Sequence, residues 1–223
     1  MTEEVLETVN LAGWQSWSPT WSKLARALKF LPDRQSPFGK NGFEQVQVPE
    51  KIRDLPPVRG WSSWYAFGPR VRERDILANA QWIKDHPQYK LEYIVIDDGW
   101  TAWGDWATSD KERFPSGMKT LARTIKDDGL KSGIWIAPFL VEKESTLFQD
   151  HPDWLVRNKR GQLVDGMHAL PGNLAIRKRY LLDVSKEEVR DHLFASIDTL
   201  LDEDQWGYQF IKLDFLYAIY FDP

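Results

Sequence analysis

Short apolar segments alternate with amphipathic segments along the chain from residue 58 onward. Four segments have the β-branched and aromatic character of strands, and these lie within residues 58–68, which are predicted to be a strand and a loop, and residues 91–100, 130–139 and 208–217. Three segments between them carry apolar residues at helical spacing, and these span residues 72–86, 117–129 and 185–207. This order predicts parallel strands that are joined by right-handed helical crossovers. The strands are almost continuously apolar, so we expect both faces of the sheet to be covered.

The first and third helical segments also carry signals for their faces and ends. In the first, one apolar face is formed by Ile76, Ala80 and Ile83. The third has Ser185 as its predicted N-cap, acidic residues in its first turn and Gly207 after its end. This third segment is the clearest helix in the sequence.

Two architectures fit this order of elements, an open doubly wound sheet and a (β/α)8 barrel. No Gly-rich phosphate-binding loop follows the first strand, which disfavours a nucleotide-binding doubly wound sheet. Asp-Asp-Gly is by itself an ordinary strand exit. Polar or aromatic residues, however, lie at the carboxyl ends of all four strands, and that rim is where a (β/α)8 enzyme keeps its site. These rim residues are Trp61, Ser63, Trp64, Asp97, Asp98, Trp135 and Asp214.

We therefore predict an α/β fold of the (β/α)8 TIM-barrel type over residues 58–223, of which four strands and their connecting helices are recognised. Residues 1–57 have a different character, with the Trp-rich sequence GWQSWSPTW followed by a short helical segment, a loop and a linker. So short a segment does not supply the core of an independent domain.

The composition removes several classes of function. The chain has 223 residues, 42% of them hydrophobic, and a net charge of −4, so it lacks the basic footprint that nucleic-acid binding needs. It has no apolar run of transmembrane length and no signal-peptide core, which makes a cytoplasmic location the default expectation. The absence of cysteine excludes disulfides and thiolate metal sites. The 12 tryptophans serve core packing, yet their flat faces and N–H groups also suit a carbohydrate site.

Lys212 and Asp214 are two residues apart on a strand, so they are predicted to point to the same side of the sheet. A neighbouring cation favours the ionised carboxylate. Such a carboxylate among tryptophan faces is suited to attack the anomeric carbon of a sugar. A structural Lys–Asp ion pair is one alternative. A Mg²⁺ site made only of carboxylates, from Asp97, Asp98 and Asp214, is another.

Seven linked motifs resemble the catalytic barrel of the glycoside hydrolase family 36 α-galactosidases, which are melibiase-like enzymes. In chain order they are GWSSWY, IDDGW, GDW, GLKSGIWIAPF, HPDWLV, LDVSKEEVRDHLF and GYQFIKLDFLYA, and they cover about residues 56–220. The segment GWQSWSPTW also resembles part of that family's N-terminal β-sandwich. On this resemblance, residues 1–57 are a remnant of the sandwich region with a linker.

The resemblance implies a role for each matching residue. Asp214 is implied to be the nucleophile, and Lys212 to bind sugar hydroxyls beside it. Asp97 and Asp98 are implied to hold the 4- and 6-hydroxyls of galactose, a task suited to carboxylates because they accept hydrogen bonds from hydroxyls. The implied walls of the galactose pocket are Trp135, Trp64 and Trp61. No metal or organic cofactor is implied, and the implied ligand is an α-galactoside oligosaccharide.

The sequence departs from the family pattern in two places. The N-terminal sandwich is nearly absent, and the chain stops after the fourth strand, whereas the family's general acid/base comes from the sixth. We therefore expect a chain that is inactive alone and depends on a second chain, or on self-association, to complete the barrel. The alternatives are a galactoside-binding or interaction module without catalysis, and an independent enzyme assembled from two half-barrels.

Overall fold

A computed structural model describes residues 57–167 and 178–221 of the chain. The strands in this part are β1 Gly60–Ser62, β2 Tyr93–Ile96, β3 Lys131–Ile136, β4 Leu140–Val141, β5 Tyr180–Leu181 and β6 Phe210–Leu213. Four of them form one sheet in the order β1-β2-β3-β6, and every neighbouring pair is parallel. The prediction of a parallel α/β sheet is therefore confirmed.

Helices connect and cover these strands. They are α1 Trp64–Phe67, α2 Glu73–Asp85, α3 Met118–Asp127, α4 Thr146–Asp150 and α5 Glu187–Leu201, with short 3₁₀ turns at Gly68–Arg70, Pro87–Tyr89, Pro152–Trp154 and Leu216–Phe221. The predicted face of α2 is confirmed, because Ile76, Ala80 and Ile83 are all buried. Helix α2 packs against β2 and α3, and α3 packs in turn against β3.

The predicted N-cap of α5 is wrong by one residue, and its predicted C-terminal end is wrong by several. Its N-cap is Lys186 rather than Ser185, whose hydroxyl donates instead to the carboxylate of Asp183 at 2.5 Å. A Ser or Asp side chain that bonds to a local partner competes with a helical start in this way. The helix ends at Leu201, and Gly207 lies beyond it in the returning loop with a φ of +71°.

The outer strands are shorter than the sequence pattern suggests. Strand β1 covers three residues and is followed by the helical turn α1, where a loop was expected. Strand β6 ends at Leu213, so Asp214 directly follows the strand. The antiparallel pair β4–β5 and the helix α4 were not predicted, because two-residue strands carry almost no periodic signal.

Several of the tryptophans lie in the hydrophobic core, which agrees with the interpretation that they serve core packing. Trp100, Trp106 and Trp135 are almost completely buried between the sheet and its covering segments. The indole of Trp100 donates to the backbone carbonyl of Trp135 at 2.9 Å, which satisfies its polar atom inside the core. Trp64 and Trp82, in contrast, are more than two-fifths exposed.

The predicted N-terminal segment, residues 1–57, lies outside the described residues except for Pro57. Among the residues that the structure does describe, none of the helices has the length and apolar character needed to cross a membrane.

Candidate active site

The turn after β2 carries two adjacent aspartates on a tightly packed backbone. Gly99 adopts a φ of +115°, and a Cβ atom there would lie 2.5 Å from the carbonyl oxygen of Pro69. The backbone N–H of Asp97 donates to the buried hydroxyl of Ser63 at 2.9 Å, and that of Asp98 donates to Oδ1 of Asp97 at 2.9 Å. Only glycine fits this backbone without strain, so the turn holds both carboxylates in fixed positions.

Asp214 lies at the corresponding end of β6. Its backbone N–H donates to Ile136 at the end of β3 at 2.9 Å. Oδ1 accepts the N–H of Phe215 at 2.9 Å, and Oδ2 accepts the indole N–H of Trp135 at 3.0 Å. Phe215 has a φ of +54°, a conformation that non-glycine residues adopt rarely and mostly at functional sites. A donor on β3 and a backbone donor after β6 thus fix the plane of the Asp214 carboxylate.

Lys212 joins the two strand ends. Its Nζ lies 2.8 Å from Oδ2 of Asp97 and 3.7 Å from Oδ2 of Asp214. The hydroxyl of Ser62 donates to the same Asp97 oxygen at 3.2 Å. The prediction that Lys212 and Asp214 share one side of the sheet is confirmed. The side chain of Lys212 is 40% exposed and that of Asp214 is 35% exposed, so this cluster opens to solvent, unlike a fully buried structural ion pair.

Asp98 binds a different donor. Its Oδ1 accepts the indole N–H of Trp103 at 2.7 Å. Burial raises the pKa of Asp98, and the Trp103 hydrogen bond and the positive charge of Arg179 act in the opposite direction. The net pKa lies above the ordinary value for an aspartate, and the charges of Asp97 and Glu142 add to the increase.

Three residues behind Asp98 were missed by sequence reasoning. Arg179 and Glu142 form an ion pair at 2.9 Å with side chains that are about one-tenth exposed. The guanidinium carbon of Arg179 lies 4.3 Å from the ring centroid of Trp103. Trp103 follows the Asp-Asp-Gly turn closely in the sequence, so a contact between Trp103 and the aspartates of that turn could have been predicted. Arg179 and Glu142 meet only through the unpredicted β4–β5 pair, which no local pattern indicates.

The predicted tryptophan walls divide into two groups. Trp135 is buried and bonded to Asp214, as described above. Trp61 is partly buried and packs edge-to-face on Phe67 at 6.1 Å, while Trp64 is 42% exposed. Neither Trp61 nor Trp64 hydrogen-bonds to the acidic cluster in the described structure, where the residues of the first strand end that contact Asp97 are Ser62 and Ser63.

The Mg²⁺ alternative fits this geometry poorly. Within residues 57–167 and 178–221, no group of three or more acidic or histidine side chains is arranged to hold a metal. Between Asp97 and Asp214 the structure places the ammonium of Lys212, where a divalent ion would be repelled. His192 lies within α5, His86 and His151 follow α2 and α4, and His168 lies outside the described residues.

Comparison with known proteins identifies the family. The Melibiase family model matches residues 62–219. The chain belongs to the melibiase family. Its relatives include Alpha-galactosidase 1 of Pediococcus pentosaceus, which is 32% identical over 165 residues, a stretch that covers 70% of this chain and 20% of that protein. Alpha-galactosidase Mel36A of Lactobacillus acidophilus is 34% identical over 132 residues, covering 56% of this chain and 16% of that protein.

Solved structures of melibiase-family enzymes agree with this assignment. The α-galactosidase TtGalA of Thermus thermophilus, in complex with p-nitrophenyl α-D-galactopyranoside, matches with a TM-score of 0.63 and 40% identity over 74% of this chain and 32% of that chain. The same enzyme in complex with stachyose gives a TM-score of 0.63 at 40% identity, over 73% and 33% of the two chains. The resemblance to glycoside hydrolase family 36 α-galactosidases is therefore confirmed. This chain spans about a fifth of the length of the curated relatives that it matches.

Proposed function

We propose that this chain carries the galactose-binding and nucleophilic part of a retaining α-galactosidase site. The observation that carries the proposal is the position of Lys212, whose ammonium bridges Asp97 and Asp214 from the ends of two different strands. A bridging cation of this kind links Asp97, whose side chain is only 3% exposed, to the more accessible carboxylate of Asp214. The related enzyme TtGalA supports the choice of ligand, because its structures contain p-nitrophenyl α-D-galactopyranoside and stachyose.

The proposed chemistry begins with Asp214. One of its carboxylate oxygens attacks the anomeric carbon of an α-galactoside, the bond to the leaving oxygen breaks, and a β-galactosyl ester forms. The leaving-group oxygen takes a proton from a general acid or, in a good leaving group, departs as a free anion. Water then attacks the anomeric carbon from the opposite face and gives a proton to the general acid/base, which acts as a base in this step, so that Asp214 is released as a carboxylate and the α configuration is restored.

The other residues of the cluster bind the sugar in this proposal. Asp97 and Asp98 accept hydrogen bonds from the 4- and 6-hydroxyls of galactose, and Lys212 donates to a hydroxyl beside the nucleophile. The faces of the ring contact the aromatic residues Trp135, Trp64 and Trp61. Trp135 also holds Asp214 through its indole N–H, so it acts on the nucleophile as well as on the sugar.

We also propose that the four parallel strands are the first four βα units of a (β/α)8 barrel. The support is that the acidic cluster lies at the carboxyl ends of the strands, the rim that such barrels use for catalysis. The 223-residue polypeptide alone is proposed not to turn over substrate. Of the carboxylates described near Asp214, Asp97 is paired with Lys212 and Asp98 is assigned to sugar binding, so this proposal gives the role of acid/base to neither. A second chain or self-association then supplies that group.

A single-turnover experiment tests the proposal. p-Nitrophenyl α-D-galactopyranoside has a leaving group that departs without protonation, so the first chemical step does not need the general acid. We expect release of p-nitrophenolate in a burst stoichiometric with protein, a hexosyl adduct located on Asp214 by peptide mass spectrometry, and no sustained turnover. Asp214→Ala is the control and should give neither burst nor adduct.

The other outcomes are informative. Galactose binding without an adduct would assign the chain to the alternative class of non-catalytic galactoside-binding modules. Absence of both binding and burst would refute the proposed function. Sustained multiple turnover by the 223-residue polypeptide would show that the acid/base is already present.

A further inference from the structure

Trp103 lies at the centre of contacts that connect three strand ends of the sheet. Its indole N–H donates to Asp98 after β2 at 2.7 Å. Its ring centroid lies 5.0 Å from that of Trp135 on β3 and 5.3 Å from that of Phe215 after β6. The side chain is 5% exposed, so these neighbours leave it little freedom to rotate.

A buried ion pair also lies against this tryptophan. The Arg179 guanidinium lies 4.3 Å from the ring centroid of Trp103, and Glu142 holds that guanidinium at 2.9 Å. The backbone also closes this arrangement, because the N–H of Glu142 donates to the carbonyl of Trp103 at 2.9 Å. A cation over an indole face is attractive, more so when both groups are desolvated. The pair therefore restrains the plane of the indole, and through it the direction of the N–H.

We infer that Trp103 is a positioning residue that fixes the direction of the Asp98 carboxylate, and that the Glu142–Arg179 pair holds Trp103 in place for this task. The inference rests on the proposed function, in which Asp98 accepts a hydrogen bond from a galactose hydroxyl. The indole N–H of Trp103 binds Oδ1 of Asp98. Oδ2 of Asp98 accepts no hydrogen bond in the described structure, so Oδ2 is the oxygen presented to the sugar.

The charges around Asp98 make this role measurable. The groups that act on it are the Trp103 dipole, the cation of Arg179, and the anions of Asp97 and Glu142, with Lys212 paired to Asp97. Loss of the Trp103 N–H removes a bond to the ionised form and raises the pKa of Asp98. Loss of the Glu142 charge removes a neighbouring anion and lowers the pKa of Asp98. Two substitutions behind the same carboxylate should therefore shift its titration in opposite directions.

The experiment compares Trp103→Phe with Trp106→Phe and Glu142→Gln. Trp106 is a matched control because it is equally buried and packs on Trp135, yet its indole N–H has no hydrogen-bond partner in the described structure. The affinity for methyl α-D-galactopyranoside is measured by calorimetry across the acid range. In parallel, the indole N–H resonance of Trp103 in the sugar-free wild-type chain is followed by ¹⁵N NMR as the pH falls.

We expect Trp103→Phe to lower the affinity for the galactoside at least about tenfold. The fall in affinity that accompanies protonation of Asp98, here called the acid limb, should move to higher pH. Trp106→Phe should stay within about threefold of wild type with an unmoved limb. Glu142→Gln should move the limb to lower pH, and the Trp103 resonance should follow the Asp98 titration. Equal losses in the two Phe variants with identical acid limbs would overturn the inference, since they would indicate loss of packing alone.

The sugar-free measurement separates this inference from the proposed function. If the wild-type chain binds no galactoside, the proposed function fails, and the Trp103 resonance then decides the inference. A resonance that follows the Asp98 titration supports the positioning contact. A Trp103 resonance that is insensitive to pH contradicts the positioning contact. The contact is also contradicted if the Trp103→Phe variant folds and the titration of Asp98, followed by ¹³C NMR, is the same as in wild type.

Discussion

The surroundings of Asp98 and Asp110 shift the pKa values of the two carboxyls in opposite directions. Burial raises the pKa of Asp98. At Asp110, burial also acts to raise the pKa, but hydrogen bonds from Arg113 and nearby backbone N–H groups outweigh it and lower the net value. The ionised form of Asp98 therefore destabilises the folded chain, although the proposed function requires that form. The ionised form of Asp110, in contrast, stabilises the folded chain. A site that keeps a charge in a poorly hydrated position is typical of a binding function.

These environments give a prediction with a defined sign. Asp98→Asn should raise the Tm at neutral pH, because the amide avoids the desolvated charge while still accepting the Trp103 hydrogen bond. The difference from wild type should begin to shrink as the pH falls through the raised pKa of folded Asp98, and it should vanish below the ordinary pKa that the carboxyl has in the unfolded chain. Galactoside affinity should fall about tenfold or more, because a charge-assisted hydrogen bond is lost. Thermal unfolding across the acid range and calorimetric titration measure both effects.

Asp110→Asn is the matched control and should behave in the opposite sense. Its Tm should be lower than that of wild type at neutral pH, and the deficit should shrink as acid protonates the wild-type carboxyl. Its galactoside affinity should not change. A fall in Tm for Asp98→Asn at neutral pH would contradict the assignment of Asp98 as a carboxylate that is destabilised by burial.

At the scale of elements, the Asp-Asp-Gly turn is held by backbone packing as well as by hydrogen bonds. Gly99→Ala should unfold at lower urea concentration for two reasons. The new Cβ would meet the backbone of Pro69 at 2.5 Å, and the φ of +115° is strained for any L residue. We expect a loss of about 3 kcal/mol in the free energy of unfolding, which combines the conformational and steric costs, and a loss of galactoside binding because both aspartates move.

Gly129→Ala provides the comparison for that prediction. Gly129 also has a positive φ, +83°, but an added Cβ would meet no atom within 4 Å. It should therefore cost only the conformational term of about 1 kcal/mol and leave galactoside affinity unchanged. Equal destabilisation by the two substitutions would show that close packing against Pro69 contributes nothing.

The elements also show what the sequence could and could not predict. Helix α2 was predictable because its apolar residues recur at helical spacing, and strands β2 and β3 because each is a short run of β-branched and aromatic residues. The rim carboxylates followed from where those strands end. The GDW motif was recognised, but not the reason for it: the carboxylate of Asp105 accepts the N–H groups of Thr146 and Leu147 at 2.9 and 3.0 Å at the start of α4. Contacts of that kind join distant segments and leave no local pattern.

At the scale of the whole molecule, the sheet is unevenly covered. Strands β2 and β3 are almost entirely buried, as a parallel sheet requires. Strand β6 is only partly buried and ends at Leu213, which is 43% exposed, with Leu216 exposed to 42% just after it. An outer strand with exposed apolar side chains and unpaired backbone groups is a surface on which another chain adds. This is the physical basis for the proposed second chain or self-association.

The exposed end of β6 gives the last prediction. The purified 223-residue chain should associate at micromolar concentration, and Leu213→Glu should shift its mass in light scattering towards the monomer, because a charge on an outer strand opposes edge-to-edge pairing. Phe194→Glu is the control, because Phe194 is 65% exposed and lies on α5 rather than on the strand, so this substitution also replaces an exposed apolar side chain by a charge. It should leave the mass unchanged. A monomeric wild-type chain, or equal dissociation by the two variants, would refute association through β6.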